Sequence, residues 1–331
     1  MNLQKRIYLI DLLRDYLENN EEDWKRAKTM ATSKNPWFTE DFIHLATDNI
    51  IDNFLIKEKI EKWVQHYYIN DSIIPKNIGI VMAGNIPMVG FHDFLCVFIS
   101  GHKQTIKFSS KDDILLKHLI LKLKEFDEEV SNFIQTEEML KGCDAYIATG
   151  GDQSAIHFEQ YFNKYPNIIR RNRTSVAVLT GKETRDELEL LSKDIHTYFG
   201  LGCRNVTKLF VPTSYDFIPL LHSFSAFKYF RDYHKYSNNY DYQLSILLLN
   251  NIKYMSNEST LLIEDERLYS PISVLHYEQY KNNIQLTEQL KNNNQIQSII
   301  GRDYLPFGKS QEPDLFTYAD GVDTMQFLLS L

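Results

Sequence analysis

Cysteine 203 stands in the run YFGLGCRNV (Tyr198 to Val206), and asparagine 85 in the run VMAGNIPMVG (Val81 to Gly90). Their chemistry is complementary. A thiolate attacks carbonyl carbon, and a carboxamide is a neutral, aimed donor of the kind that steadies the resulting oxyanion. Beside Cys203, Gly202 gives room for an approaching carbonyl, Arg204 favours the thiolate, and the Cys203 backbone amide is a second oxyanion donor. Both residues also have ordinary explanations. A lone cysteine is usually a small buried hydrophobe, and an asparagine next to Gly84 and Ile86-Pro87 can simply close a turn. Cys96, among Leu95, Val97 and Phe98, reads as core, and Cys143 lacks the setting of Cys203.

A third run, AYIATGGDQS (Ala145 to Ser154), puts Gly150-Gly151 behind an apolar stretch, as Gly84 stands behind Ile78 to Ala83. Glycine there lets the backbone approach a ligand closely and leaves helix N-terminal amides facing phosphate. Neither turn is the G-x-G-x-x-G fingerprint, and a plain strand-to-helix turn accounts for Gly150-Gly151 equally well.

The elements that must position these residues follow from periodicity. Residues 3 to 70 carry helical spacing, broken at Asn35-Pro36 and restarted after Thr39, an N-cap type. From Asn77 the pattern alternates: strand at Ile78 to Ala83, helix at Phe91 to Ser100 stopped by Gly101, strand at Gln104 to Phe108, and helix at Ile114 to Phe126. Ala145 to Thr149, Gln153 to Phe162 and Val176 to Leu179 continue it. Repeated strand-helix-strand order means a doubly wound parallel sheet, whose ligands lie beyond the carboxyl ends of the strands. A helix over Arg185 to Phe199 leads to Cys203, and a strand over Lys208 to Val211 opens a second α/β domain. The expected division is a helical segment over 1–75, a Rossmann-like dinucleotide-binding domain over 76–182, a catalytic domain over 183–305, and a tail over 306–331 returning to the core.

Composition bounds the function. A chain of 331 residues, 43% hydrophobic and 24% charged, is an ordinary globular protein. A formal net charge of -8 offers no basic field for nucleic acid or anionic lipid. Three scattered cysteines build neither a disulfide framework nor a zinc site, and no metal is expected. No apolar run reaches the roughly 18 residues of a spanning helix, so membrane insertion is not expected and the expected compartment is the cytoplasm.

With these residues in place, the chain resembles the aldehyde dehydrogenase superfamily. VMAGNIPMVG followed by SGHKQTIKFSS (Ser100 to Ser110) is similar in order and spacing to that superfamily's strand, Asn-containing turn, helix, and lysine-ending strand. Within it the chain looks most like the acyl-CoA reductases related to the fatty acid reductase component of bacterial bioluminescence. That likeness rests on Gly84-Asn85-Ile86-Pro87, Ala148-Thr149-Gly150-Gly151, FGLGCRN (Phe199 to Asn205), PFGKS (Pro306 to Ser310) and YADGVDTM (Tyr318 to Met325).

The resemblance implies roles. Cys203 matches the nucleophile and Asn85 the oxyanion-hole amide. Lys107 matches the lysine on the adenosine ribose, although Phe108-Ser109-Ser110 departs from the family's Pro-Ser-Glu. Thr149, Gly150 and Gly151 match the turn near the pyrophosphate. In EDERLYSP (Glu264 to Pro271), Glu266 is nearest to the glutamate that holds the nicotinamide ribose, with Arg267 competing for the place. The family's water-activating Glu-Leu-Gly-Gly is replaced by RRNRTSVA (Arg170 to Ala177), which has no such base. The implied activity is NAD(P)H-dependent reduction of a long-chain acyl-CoA, or of an acyl-protein thioester, to the aldehyde through an acyl-cysteine. NADPH is favoured over NADH, since Lys107 and Lys111 can meet a 2'-phosphate. The alternatives are a non-reducing acyl-cysteine carrier and a catalytically retired subunit. The short chain leaves the subunit count open, a homo-oligomer included. His196, seven residues before Cys203, is a candidate proton donor, although a histidine on such a helix is more often a surface or core residue.

Overall fold

The computed structural model describes residues 1–331 in two units, Met1–Asn172 with Pro313–Leu331, and Arg173–Glu312. In the first, α1 (Leu3–Glu18), α2 (Glu22–Lys34), α3 (Glu40–Phe54) and α4 (Lys57–His66) precede any strand. Asn2 and Thr39 start α1 and α3, each side chain accepting from a backbone amide of the first turn. Then follow β1 (Asn77–Val81), α5 (Phe91–Ser100), β2 (Lys103–Lys107), α6 (Leu115–Phe126), β3 (Ile134–Thr136), β4 (Ala145–Thr149), α7 (Asp152–Phe162) and β5 (Asn167–Arg170). The strands form one parallel sheet in the order β3-β2-β1-β4-β5, so the winding direction reverses between β1 and β4.

Helix α5 is apolar on nearly every side and is buried on nearly every side, as such composition demands. Gly101 ends it at φ +89°, a left-handed position that suits glycine. Its buried Asp93 pairs with Arg170 at the end of β5, and the second Arg170 nitrogen donates to Thr324 Oγ1 at 2.8 Å.

The second unit begins with β6 (Thr174–Val178) and continues through α8 (Arg185–His196), β7 (Val206–Pro212), α9 (Ile218–Ser223), α10 (His234–Leu249), β8 (Met255–Ser256), β9 (Leu261–Glu264), β10 (Val274–Tyr280), α11 (Asn283–Lys291) and β11 (Ile296–Ile300). Its sheet runs β11-β6-β7-β10-β9-β8, parallel except for β8 against β9. Alternation sorts its side chains: Ala177, Leu209 and Val211 join the cluster with α8 and Phe224, while Val176, Val178 and Phe210 pack with Leu286 and Leu290 of α11. The last helix, α12 (Thr324–Leu329), belongs to the first unit, where Tyr318 accepts from Trp63 Nε1 at 2.9 Å and Asp323 from Tyr67 at 2.6 Å. No helix is long and apolar enough to cross a membrane.

Two boundaries of the sequence-based division differ in the structure. The strand over Val176 to Leu179, counted with the dinucleotide-binding sheet, is β6 and pairs with β7 and β11 in the second sheet. Between β5 and β6 lie only residues 171–173, far short of the dozen or more residues that join parallel neighbours in one sheet. The boundary therefore falls at Asn172, not 182, and the tail's change of unit falls after Glu312, not at 306.

Candidate active site

In the first unit, three turns leave the carboxyl edge of adjacent strands. Val81 pairs with Lys107 on one side and Ala148 on the other, so the 82–90 turn, the end of β2 and the Thr149–Gly151 turn are neighbours at the point where the winding reverses. Lys107 is half-buried there, as are Asn85, Thr149 and Gly150, while Gly151 is exposed. Gly84 is needed for a close approach. A Cβ on it would lie 2.6 Å from Ser109 Oγ and 3.1 Å from the Asp112 amide nitrogen. The turn after β2 is itself tight, with the Asp112 amide donating to the Ser109 carbonyl at 3.0 Å. Asp112 then accepts from the Met88 amide at 2.7 Å through Oδ2. Burial drives its carboxyl from 3.8 up to about 7. Nothing in the sequence singled out Asp112, which lies in a Lys-Asp-Asp run that reads as a solvated cluster.

In the second unit, the chain enters the cysteine turn through three consecutive left-handed residues, Tyr198 (φ 54°), Phe199 (φ 55°) and Gly200 (φ 75°). Two of them carry side chains, at a cost on the order of 1 to 3 kcal/mol each. Packing holds them: the buried Phe199 ring lies 4.5 Å from Phe230 and 5.6 Å from Tyr236. Cys203 is half-buried, in contrast to the buried Cys96 and Cys143, and its carbonyl accepts from Ser175 Oγ at 3.2 Å.

The turn's anchor is Asn205, fully buried. Its Oδ1 accepts from the Gly202 amide at 2.8 Å, and its Nδ2 lies 2.8 Å from the Thr197 carbonyl and 3.1 Å from that of Asp194. One carboxamide thus ties the residues around Cys203 to the carbonyl end of α8, which has carbonyls to spare. Asp194 is braced in turn, accepting from the amides of Gly308 (2.7 Å) and Ser310 (3.1 Å) of the PFGKS run.

His196 has no part in proton donation on this geometry. Its Nδ1 lies 2.8 Å from the Ser192 carbonyl, which can only accept, so Nδ1 carries the proton and Nε2 accepts from Thr260 Oγ1 at 2.8 Å. The ring stacks on Phe227, and desolvation brings its pKa down from 6.5 to about 4. It is a neutral core histidine.

Glu266 is exposed, in the loop after β9. Its neighbours Asp265 and Arg267 pair with each other at 2.5 Å, and the Arg267 hydrogen bonds hold the Asp265 carboxyl down at about 2. Three side chains from the sheet below fasten the loop's carbonyls: Lys208 that of Asp265, Thr207 that of Leu268 (2.7 Å), and His276 that of Arg267 (2.9 Å). Beyond it, Ser270 to Val274 face Phe199 and Gly200 across a small, solvent-open cleft.

A dinucleotide fits the first unit's edge on two observations. The winding reverses where the glycine turns leave β1 and β4. In addition, α7 starts at Gly151 with no side-chain cap, and a Cβ there would meet nothing within 4 Å, leaving the first-turn amides approachable. Asp152 in that first turn opposes a phosphate, and Lys107 at the end of β2 favours one.

A parallel sheet wound in this order, together with a second sheet whose β6–β7 crossover carries the cysteine turn, defines an aldehyde dehydrogenase-like fold. The chain is similar to an aldehyde dehydrogenase from Physcomitrella patens in complex with succinate, with a TM-score of 0.64 at 12% identity over 92% of this chain and 74% of that one. The indole-3-acetaldehyde dehydrogenase of P. syringae, in complex with NAD+, matches with a TM-score of 0.64 at 11% identity over 91% and 72%. An aldehyde dehydrogenase from Bacillus cereus matches with a TM-score of 0.65 at 12% identity over 89% and 70%. At such identities the likeness is one of fold. No protein-family model matches the chain, and no curated protein matches it in sequence.

Proposed function

We propose that the chain is a nicotinamide-dependent oxidoreductase that reduces an acyl thioester to the aldehyde through an acyl group carried on Cys203. The observation that carries this reading is the Cys203 turn itself, a half-buried cysteine in a strained loop anchored by Asn205, within an aldehyde dehydrogenase-like fold. Strained backbone held by surrounding packing is characteristic of sites that do chemistry.

In this reading the Cys203 thiolate attacks the thioester carbonyl, and the new C–S bond forms as the carbonyl electrons move onto oxygen. Asn85 and the Cys203 amide are assigned the oxyanion. Collapse expels the donor thiolate, which takes up a proton, and leaves the acyl group on Cys203. The residues assigned to the cofactor are Lys107, Thr149, Gly150, Gly151 and Glu266. When bound, the reduced nicotinamide supplies the hydride that brings the acyl carbon to the aldehyde level. Cys203 then leaves as thiolate, ready for a second turnover.

Reduction is favoured over oxidation to free acid because the stretch Arg170 to Ala177 carries no carboxylate. Arg170 there is committed to Asp93, and Thr174 to Thr207 at 2.6 Å. An acyl-CoA is the proposed donor, long-chain by the sequence resemblance, and NADPH the proposed reductant. The test is intact-mass measurement after adding a long-chain acyl-CoA alone. The protein should gain one acyl group at Cys203, and NADPH should discharge it as aldehyde with loss of cofactor absorbance. Rapid release of free fatty acid without cofactor overturns the reading, and an acyl group that NADPH cannot discharge makes the protein an acyl carrier.

A further inference from the structure

We infer that Asp112 is the positioning residue for Asn85, holding the Gly84–Met88 turn through its hydrogen bond to the Met88 amide. The inference rests on the role proposed for Asn85. Three observations on different atoms lead to it.

First, the turn that carries Asn85 is not held by its own strand ladder. After Met82, whose amide still bonds the Lys107 carbonyl at 3.0 Å, the chain leaves the sheet and passes through Met88 at φ +53°. A left-handed methionine needs an external hold. Asp112 Oδ2 supplies it at 2.7 Å, from a residue 24 positions away in sequence.

Second, the turn that carries Asp112 is pressed against the other end of the same segment. The Ser109–Asp112 bridge lies so close to Gly84 that a Cβ would fall 2.7 Å from Ser109 Cβ. Asn85 therefore sits between two fixed points, Gly84 packed against Ser109 and Met88 bonded to Asp112.

Third, the hold is buried, so solvent does not stand ready to replace it. Asp112 is 7% exposed, and its Oδ1 is buried with no hydrogen-bond partner. Removing the acceptor would leave the buried Met88 amide unsatisfied, whereas an asparagine at 112 would still accept from it. Asp112 acts on the turn through the Met88 amide.

The experiment compares D112N, D112L, N85A and the N85A/D112L double variant, all in the full chain with an acyl-CoA and NADPH. D112N keeps an acceptor for the Met88 amide, whereas D112L keeps the branched shape and removes it. The expected result is a kcat about 100-fold lower in D112L with both KM values nearly unchanged, the size of effect a small misplacement produces. D112N should retain most of the activity. In the N85A background D112L should cost nothing further, because the residue it positions is already gone. Hydrogen exchange gives a readout free of activity: the peptide over 84–91 should exchange faster in D112L than in wild type or D112N. Equal exchange in all three overturns the inference, as does a D112L loss that multiplies the N85A loss. A fully active N85A overturns instead the role of Asn85 on which the inference stands. Should D112L fail to fold, an inactive D112N with unchanged exchange also overturns it.

Discussion

Asn205 accepts from the Gly202 amide at 2.8 Å, so the residue that precedes Cys203 is held by the residue that follows Arg204. The same side chain reaches three carbonyls at the end of α8, those of Asp194, Ile195 and Thr197. The cysteine turn is thereby a closed loop, with its ends clipped to one buried carboxamide.

Asn205→Ala should lose both the clip and stability. Leaving buried carbonyls and the Gly202 amide unsatisfied is expected to cost about 2 to 4 kcal/mol, read by urea denaturation. The labelling rate of Cys203 by acyl-CoA should fall as well. Wild-type stability in this variant would mean that other groups replace every one of those bonds.

Cys203→Ser and Cys203→Ala should both abolish turnover while leaving the fold and cofactor affinity nearly intact, measured by circular dichroism and cofactor fluorescence. The serine variant is the sharper of the two, since an alkoxide is a poorer nucleophile and a poorer leaving group here than a thiolate. Substantial turnover in both would remove Cys203 from the chemistry.

Asn85→Ala should lower kcat by about 100-fold or more with little change in KM, the expected loss for one oxyanion donor. A change confined to KM would make Asn85 a residue that orients the ground state.

His196 predicts an acid limit to stability. Folding lowers its pKa from 6.5 to about 4 through desolvation, so the unfolded chain binds more protons in that interval. Stability is therefore present above pH 6.5 and lost as the pH falls toward 4, by about 3 kcal/mol from this group. His196→Gln should flatten that slope in denaturation curves taken from pH 7 to 4.5. Because His196 is neutral and buried, the same variant should leave the pH profile of kcat between 6 and 8 unchanged in shape.

Much of this fold was legible because its signals are local. The apolar run Phe91 to Ser100 with Gly101 behind it reads as a buried helix and is one, and Thr39 caps α3 as its type suggests. The turn after β1 announces itself through Gly84, where a Cβ would lie 2.6 Å from Ser109 Oγ, and the pair after β4 through residue type alone, since a Cβ at Gly151 would meet nothing within 4 Å. Less legible were strands too short for a period to show, such as Ile134–Thr136 and Asn167–Arg170, and β6, whose partner sheet depends on the length of a link and not on its own residues. Asn205 and Asp112 were missed for a different reason. Each looks like an ordinary polar turn residue, and only burial, set by distant chain such as Gly84 and the end of α8, turns it into an anchor.

The discontinuity of the first unit has a consequence for biosynthesis. Arg170 meets Thr324, 154 positions later, and His102 lies 2.9 Å from the Leu328 carbonyl, 226 positions later, so buried groups of that unit await residues translated well after them. The second unit, Arg173–Glu312, is one unbroken stretch. On a growing chain, the half that bears the thiol has all its strands available before the half with the glycine turns has its closing helix.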